Sequence, residues 1–158
     1  MSVTRTGSLA LLAGLALMAA LPAEAQPNFT GKWKLDVSKS DFGPMPPPTS
    51  QLDSIDHKGS DLKVSVQQSG QMGDVEWTAT YTTDGKECAN EIRGNPMKST
   101  VTWDGDTLVF DTKGSFQGNE VTLRDRWTIS PDGKTRTIQR HASSSMGEAD
   151  WKLVFEKQ

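Results

Sequence analysis

From Trp33 to Phe155 the chain alternates apolar and polar side chains in short runs. Trp33, Leu35 and Val37 share one face of the first run, and Leu62, Val64 and Val66 share one face of another. Val75, Trp77, Ala79 and Tyr81 follow, then Cys88 and Ile92, then Met97, Val101 and Trp103. Leu108 with Phe110, Val121 with Leu123, Trp127 and Ile129, and Trp151 with Leu153 and Phe155 complete the series. A period of two is that of strands with one face buried and one wet. With weaker runs near 52–57 and 135–141, the pattern predicts eight to ten strands and no amphipathic helix. Such a chain is all-β, a single antiparallel up-and-down barrel wrapped round one core.

The turns carry the connectivity. Asp84-Gly85, Asp104-Gly105 and Asp132-Gly133 are Asp-Gly pairs between alternating runs, a strong short hairpin signal. A two-residue turn at the first pairs Tyr81 with Cys88, Ala79 with Asn90 and Trp77 with Ile92. At the second it pairs Val101 with Leu108 and Ser99 with Phe110. In both hairpins the apolar faces meet. The segment 38–50 breaks the pattern with its prolines. It reads either as a stiff surface loop of polyproline character or as a flap over one barrel end, with Phe42 and Met45 as its apolar contacts.

Polar residues on apolar faces are the candidate chemistry. Asp125 shares the parity of Leu123 and Trp127, so it points inward. A two-residue turn at Asp132-Gly133 pairs Trp127 with Ile138 and Asp125 with Arg140; a three-residue turn pairs Asp125 with Gln139 instead. The first keeps Ile138 in the core and is preferred. A buried carboxylate without a partner costs several kcal/mol, about enough to make the Asp125–Arg140 pairing obligatory. That pair either plugs one barrel end or offers Arg140 as a fork to an anionic ligand. All five tryptophans fall on core parity. They either fill the barrel or line a pocket, where Trp77, Tyr81, Asn90, Ser99, Phe110, Asp125, Trp127 and Arg140 are the candidate ligand contacts.

The remaining features set the compartment and exclude function classes. Arg5, the apolar run Ser8 to Leu21 and Ala23-Glu24-Ala25 form a Sec-type leader over 1–25. The apolar run falls short of the roughly 20 residues needed to cross a bilayer. No Cys stands directly after it, so no stable membrane anchor is expected. Residues 26–158 suffice for one barrel domain, exported to the periplasm or beyond. A net charge of −3, without a basic stripe, argues against nucleic acid. Cys88 is the single cysteine and reads as a small apolar core residue. His57 and His141 lack ligand-spaced companions, and no nucleophile elbow, phosphate loop or metal motif is present, so no cofactor, metal or catalytic site is expected. His141 as a haem ligand is a remote alternative to a wet strand-end histidine.

Gly31-x-Trp33 at the start of a meander barrel resembles the calycin superfamily, which includes lipocalins and fatty-acid-binding proteins. The turn Ser130 to Thr135 is similar to SPDGKT-type turns of exported, lipocalin-like bacterial proteins. The resemblance implies a first-strand Trp packed across the closed end under an Arg from a late strand. Gly31, Trp33, Arg140 and Trp151 are the residues expected there. The chain departs from both subfamilies: it ends on a strand where lipocalins carry a helix, and 38–50 is too rich in proline for the helix pair of fatty-acid-binding proteins. The expectation is a non-enzymatic carrier or scavenger of a small, mostly apolar ligand. The alternative is a solid barrel acting through its surface on an envelope or enzyme partner; an enzyme comes third. Nothing in the pattern sets an oligomeric state.

Overall fold

A computed structural model describes residues 25–158. The leader expected over 1–25 lies outside the described residues but for Ala25. The alternating runs become ten strands: β1 Gly31–Leu35, β2 Ser50–Lys58, β3 Asp61–Gly70, β4 Gly73–Thr82, β5 Cys88–Ile92, β6 Asn95–Asp104, β7 Thr107–Phe116, β8 Asn119–Ile129, β9 Thr135–Ser144 and β10 Gly147–Lys157. They form one antiparallel sheet in the order β4-β3-β2-β1-β10-β9-β8-β7-β6-β5. The sheet curls until β4 and β5 lie side by side, a nearly closed meander barrel.

Two registers differ from expectation. The β6–β7 turn is centred on Gly105 and Asp106, so Val101 faces Phe110 and Ser99 faces Thr112. Gly105 sits at φ 59, the first turn position where a type II′ turn calls for glycine. The slip is two residues, so every side chain keeps its face. At Asp84-Gly85 no ladder forms. There the Thr83 N–H donates to Ser60 O and the Gly85 N–H to Val101 O, which carries the turn away from a hairpin.

The interior has two halves. Phe29, Trp33, Ile55, His57, Leu62, Leu108, Trp127, Arg136 and Phe155 are buried at the end where β1 begins and β10 finishes. At the opposite end, the mouth, inward-facing Gln68, Trp77, Leu123, Arg140, Ala142, Trp151 and Leu153 are only half-buried. Water therefore reaches into the mouth half and not into the closed half. Of the five tryptophans on core parity, Trp33 and Trp127 are buried, while Trp77, Trp103 and Trp151 stay half-exposed.

After β1, Asp36 caps a single 3-10 turn, Val37–Lys39. Asp41 then pairs with Lys152 of β10. Gly43, at φ 55, presses against the Trp151 ring. Pro48 lies beside Gly70, and the Thr49 N–H donates to Ser69 O at 2.8 Å. The proline-rich segment is thus a strap from β10 to β3 at the mouth end of the barrel. Phe42 packs on the core, but Met45 is exposed and makes no such contact.

Candidate functional site

Arg136, Ile138 and Arg140 share the inward face of β9, and the two arginines have different surroundings. Arg136 is fully buried, and its Nη2 donates to Asp53 Oδ2. Its guanidinium lies 4.1 Å from the Phe155 ring centre, 4.7 Å from Trp127 and 5.8 Å from Trp33. Nε and Nη1 have no hydrogen-bond partner among the described residues. The aromatic faces take that role, since a planar cation is attracted to ring quadrupoles. Burial pulls its pKa below the usual arginine value, with Asp53 opposing; the group stays charged at any biological pH. Trp33 Nε1 in turn donates to the Phe29 carbonyl at 2.9 Å.

The late-strand arginine over Trp33 is therefore Arg136 and not Arg140. Arg140 and Trp151 do not join Gly31 and Trp33 at the closed end; they face each other across β9–β10, with 5.9 Å between guanidinium and ring, in the mouth half. The signal for Arg136 was its parity with Ile138. What parity lacked was the β9–β10 register, which sets Phe155 opposite Arg136.

Arg140 is the more open of the two. Asp125 faces it across β8–β9 in the two-residue register. Nε donates to Asp125 Oδ1 at 2.7 Å and Nη2 to Oδ2 at 2.6 Å, a side-on bidentate pair. Burial works against the guanidinium's charge, but Asp125, by charge and hydrogen bonding, outweighs it and holds the pKa above the usual value. Asp125 uses two of the five N–H groups a guanidinium offers, and 31% of the Arg140 side chain stays accessible. Among the described residues Asp125 is its one hydrogen-bond partner, and Arg140 lies in the half-buried mouth half.

Tyr81 and Phe110 stand beside the pair, edge to face with centres 5.2 Å apart. Burial, with Asp125 nearby, pushes the Tyr81 hydroxyl up to about 12, so it stays a neutral donor. Phe110 packs on Trp127 with centres 4.4 Å apart and rings tilted by 33°, and joins this group to the closed-end core. Trp127 Nε1 and Trp151 Nε1 are buried donors without a partner among the described residues.

Two expected handles are placed otherwise. Ser99 is buried and hydrogen-bonded to Thr112 at 2.7 Å, a satisfied core pair. Asn90 turns sideways: its amide accepts the Thr80 N–H and donates to the Thr80 carbonyl, both at 2.9 Å. Cys88 lies in the same seam, half-exposed, and accepts the Thr82 N–H at 3.3 Å. Further along β4, towards the mouth, Trp77 lies under Arg93, 5.2 Å away. Arg93 donates to Gln68, Gln68 to Gln51 and Gln51 to Asp53, a polar line down the inside of β2 and β3. His141 is exposed and paired with Asp150 at 2.8 Å.

No family profile matches the chain, and no curated protein matches its sequence. Solved structures match nearly the whole barrel. A zebrafish ileal bile acid-binding protein complexed with cholic acid superposes with a TM-score of 0.58 at 20% identity, over 82% of this chain and 98% of its own. A secretory abundant heat soluble protein from Ramazzottius varieornatus gives 0.61 at 13% identity, over 82% and 95%. Human cRBP IV gives 0.56 at 17%, over 84% and 99%. The fold is a ten-stranded barrel of the calycin type.

Proposed function

We propose that the protein is an exported, non-enzymatic carrier or scavenger of a small, mostly apolar ligand that bears an acidic group. The half-used fork of Arg140 carries this reading. A guanidinium with N–H groups to spare, flanked by Tyr81, Phe110 and Trp151, recognises an anion beside an apolar body. The cholic acid of the zebrafish neighbour is a ligand of that description. The leader-like first 25 residues support export.

Native mass spectrometry of protein purified undenatured from an exporting host tests the proposal. A reproducible added mass, released by organic solvent, is expected. Replacing both partners, Asp125→Asn with Arg140→Gln, keeps the polar shape and removes the charges. That variant is expected to bind anionic probes about 10–100-fold more weakly and the neutral dye Nile red unchanged, since a charge-assisted contact contributes about 1.5–3 kcal/mol. A bare mass that persists after incubation with fatty acids, hydrophobic metabolites and haem overturns it. The alternative is then a surface-acting module, for which Met45, Met72 and Met146 on loops and Phe116 at the end of β7 are exposed apolar side chains.

A further inference from the structure

Neighbouring strands round the barrel are joined by backbone ladders, except β4 and β5. Among the described residues, the hydrogen bonds that cross this seam all use side chains. Cys88 Sγ accepts the Thr82 N–H at 3.3 Å and lies 3.6 Å from Thr82 Oγ1. Asn90 substitutes its amide for a missing rung at Thr80. Nearer the mouth, Arg93 reaches over Trp77 to Gln68. It does so at φ 53, a conformation that costs a non-glycine residue.

An open cleft of about 430 Å³ lies over this seam. Cys88 and Ala89 of β5 form one side, Thr80, Tyr81 and Thr82 of β4 the middle, and β2 and β3 the other side, where Lys58 and Lys63 stand with Asp56 and Asp61 around Leu62. Tyr81 belongs to both sides, because it borders the cleft and its ring packs on Phe110 inside the barrel. Tyr81 thus links the cleft to the neighbourhood of Asp125 and Arg140, whose charges it feels.

We propose that the β4–β5 seam is the passage by which an amphiphilic anion enters and leaves the barrel, with the outer cleft as its vestibule and Asn90 and Cys88 as its latch. The proposal rests on the binding function above. Parting two laddered strands breaks a run of backbone bonds together, whereas parting this seam breaks a few side-chain contacts that water replaces. β4 keeps its ladder to β3 and β5 its ladder to β6 throughout. On the β10–β3 side of the mouth the strap is tied by backbone bonds at both Asp41 and Thr49.

Thr82→Cys puts a second sulfur where Oγ1 sits, and a small adjustment brings it to the about 2.05 Å of a disulfide with Cys88. The probe is 8-anilinonaphthalene-1-sulfonate, an amphiphilic anion, followed by stopped-flow fluorescence, with the cross-link verified by mass. Oxidised Thr82→Cys is expected to slow association and dissociation alike, by about tenfold, with Kd nearly unchanged. Reduction should restore the wild-type rates. Asn90→Ala is expected to speed both. A verified disulfide that leaves the rates unaltered overturns the passage, as do unaltered rates in Asn90→Ala should the cross-link not form. A wild-type protein that never binds the probe overturns the binding function itself, and the passage with it.

Discussion

Arg136 and Arg140 stand four residues apart on one strand face, yet one is a structural part and the other a recognition group. The difference lies in what each touches. Arg136→Met is expected to cost about 3–5 kcal/mol in urea unfolding, because Asp53 is left charged and buried. Adding Asp53→Asn should recover a large part of that, since an amide costs far less to bury and still accepts from Gln51. Failure of the second change to recover stability would show that packing of the guanidinium on Phe155 and Trp127 matters more than the ion pair. His57 is the other informative residue. It is buried, and its Nδ1 accepts the Phe29 N–H at 3.4 Å, which requires a neutral ring. Burial lowers its pKa below 6.5, and the Gly59 backbone opposes this only in part. The unfolded chain therefore binds a proton that the folded protein refuses. The stability this histidine contributes is present above pH 6.5 and is lost as pH falls through its lower folded value. Unfolding free energies between pH 7.5 and 5.5 should decline in the wild type, and the decline should be shallower in His57→Phe.

At the scale of elements, the alternation of side chains was enough to read the faces of the strands, and the Asp132-Gly133 turn was enough to read Asp125 against Arg140. Alternation carries that information because a strand's faces follow from parity alone, whatever its neighbours do. Relations fixed by contacts far apart in sequence were not legible. Asp84-Gly85 has the composition of a hairpin, but the Thr83 and Gly85 N–H groups go to Ser60 and Val101, and the seam follows from that. Asn90 accordingly looked like an inward handle when it is a lateral strut. The strap was legible only as a proline-rich break. Its seat depends on Gly43, where an added Cβ would lie 2.9 Å from the Asp150 carbonyl and 3.0 Å from the Trp151 ring. Gly43→Val is therefore expected to lift the strap off β10, costing about 1–3 kcal/mol from the left-handed backbone and the clash together. Hydrogen exchange should show faster exchange at Asp41 and Lys152, whose amides bond each other's carbonyls. Unchanged protection there would mean that the strap is seated by Phe42 and not by Gly43.

For the whole molecule, the nearly closed sheet implies an uneven distribution of stability. A fully closed barrel has no edge, but this one has two, β4 and β5, brought together without being paired. β7, β8 and β9 are laddered on both sides and pack Phe110, Trp127 and Ile138 into the core, so opening them requires the whole barrel to open. β5 is short, laddered only to β6 and tied across the seam by side chains. Local opening draws on segments with few buried apolar contacts, which places β5 at the low end and the β7–β9 wall at the high end. Native-state hydrogen exchange by mass spectrometry should then find 88–92 exchanging through local opening, with little dependence on low urea. Residues 108–112 and 123–127 should exchange only through global unfolding, with the full urea dependence. A ligand that bridges Arg140 and Tyr81 should slow exchange at Thr80 and Thr82 before it affects β8, because Tyr81 joins the seam to the site. Equal protection across β5 and β8 would mean that the side-chain struts hold the seam as firmly as a ladder does.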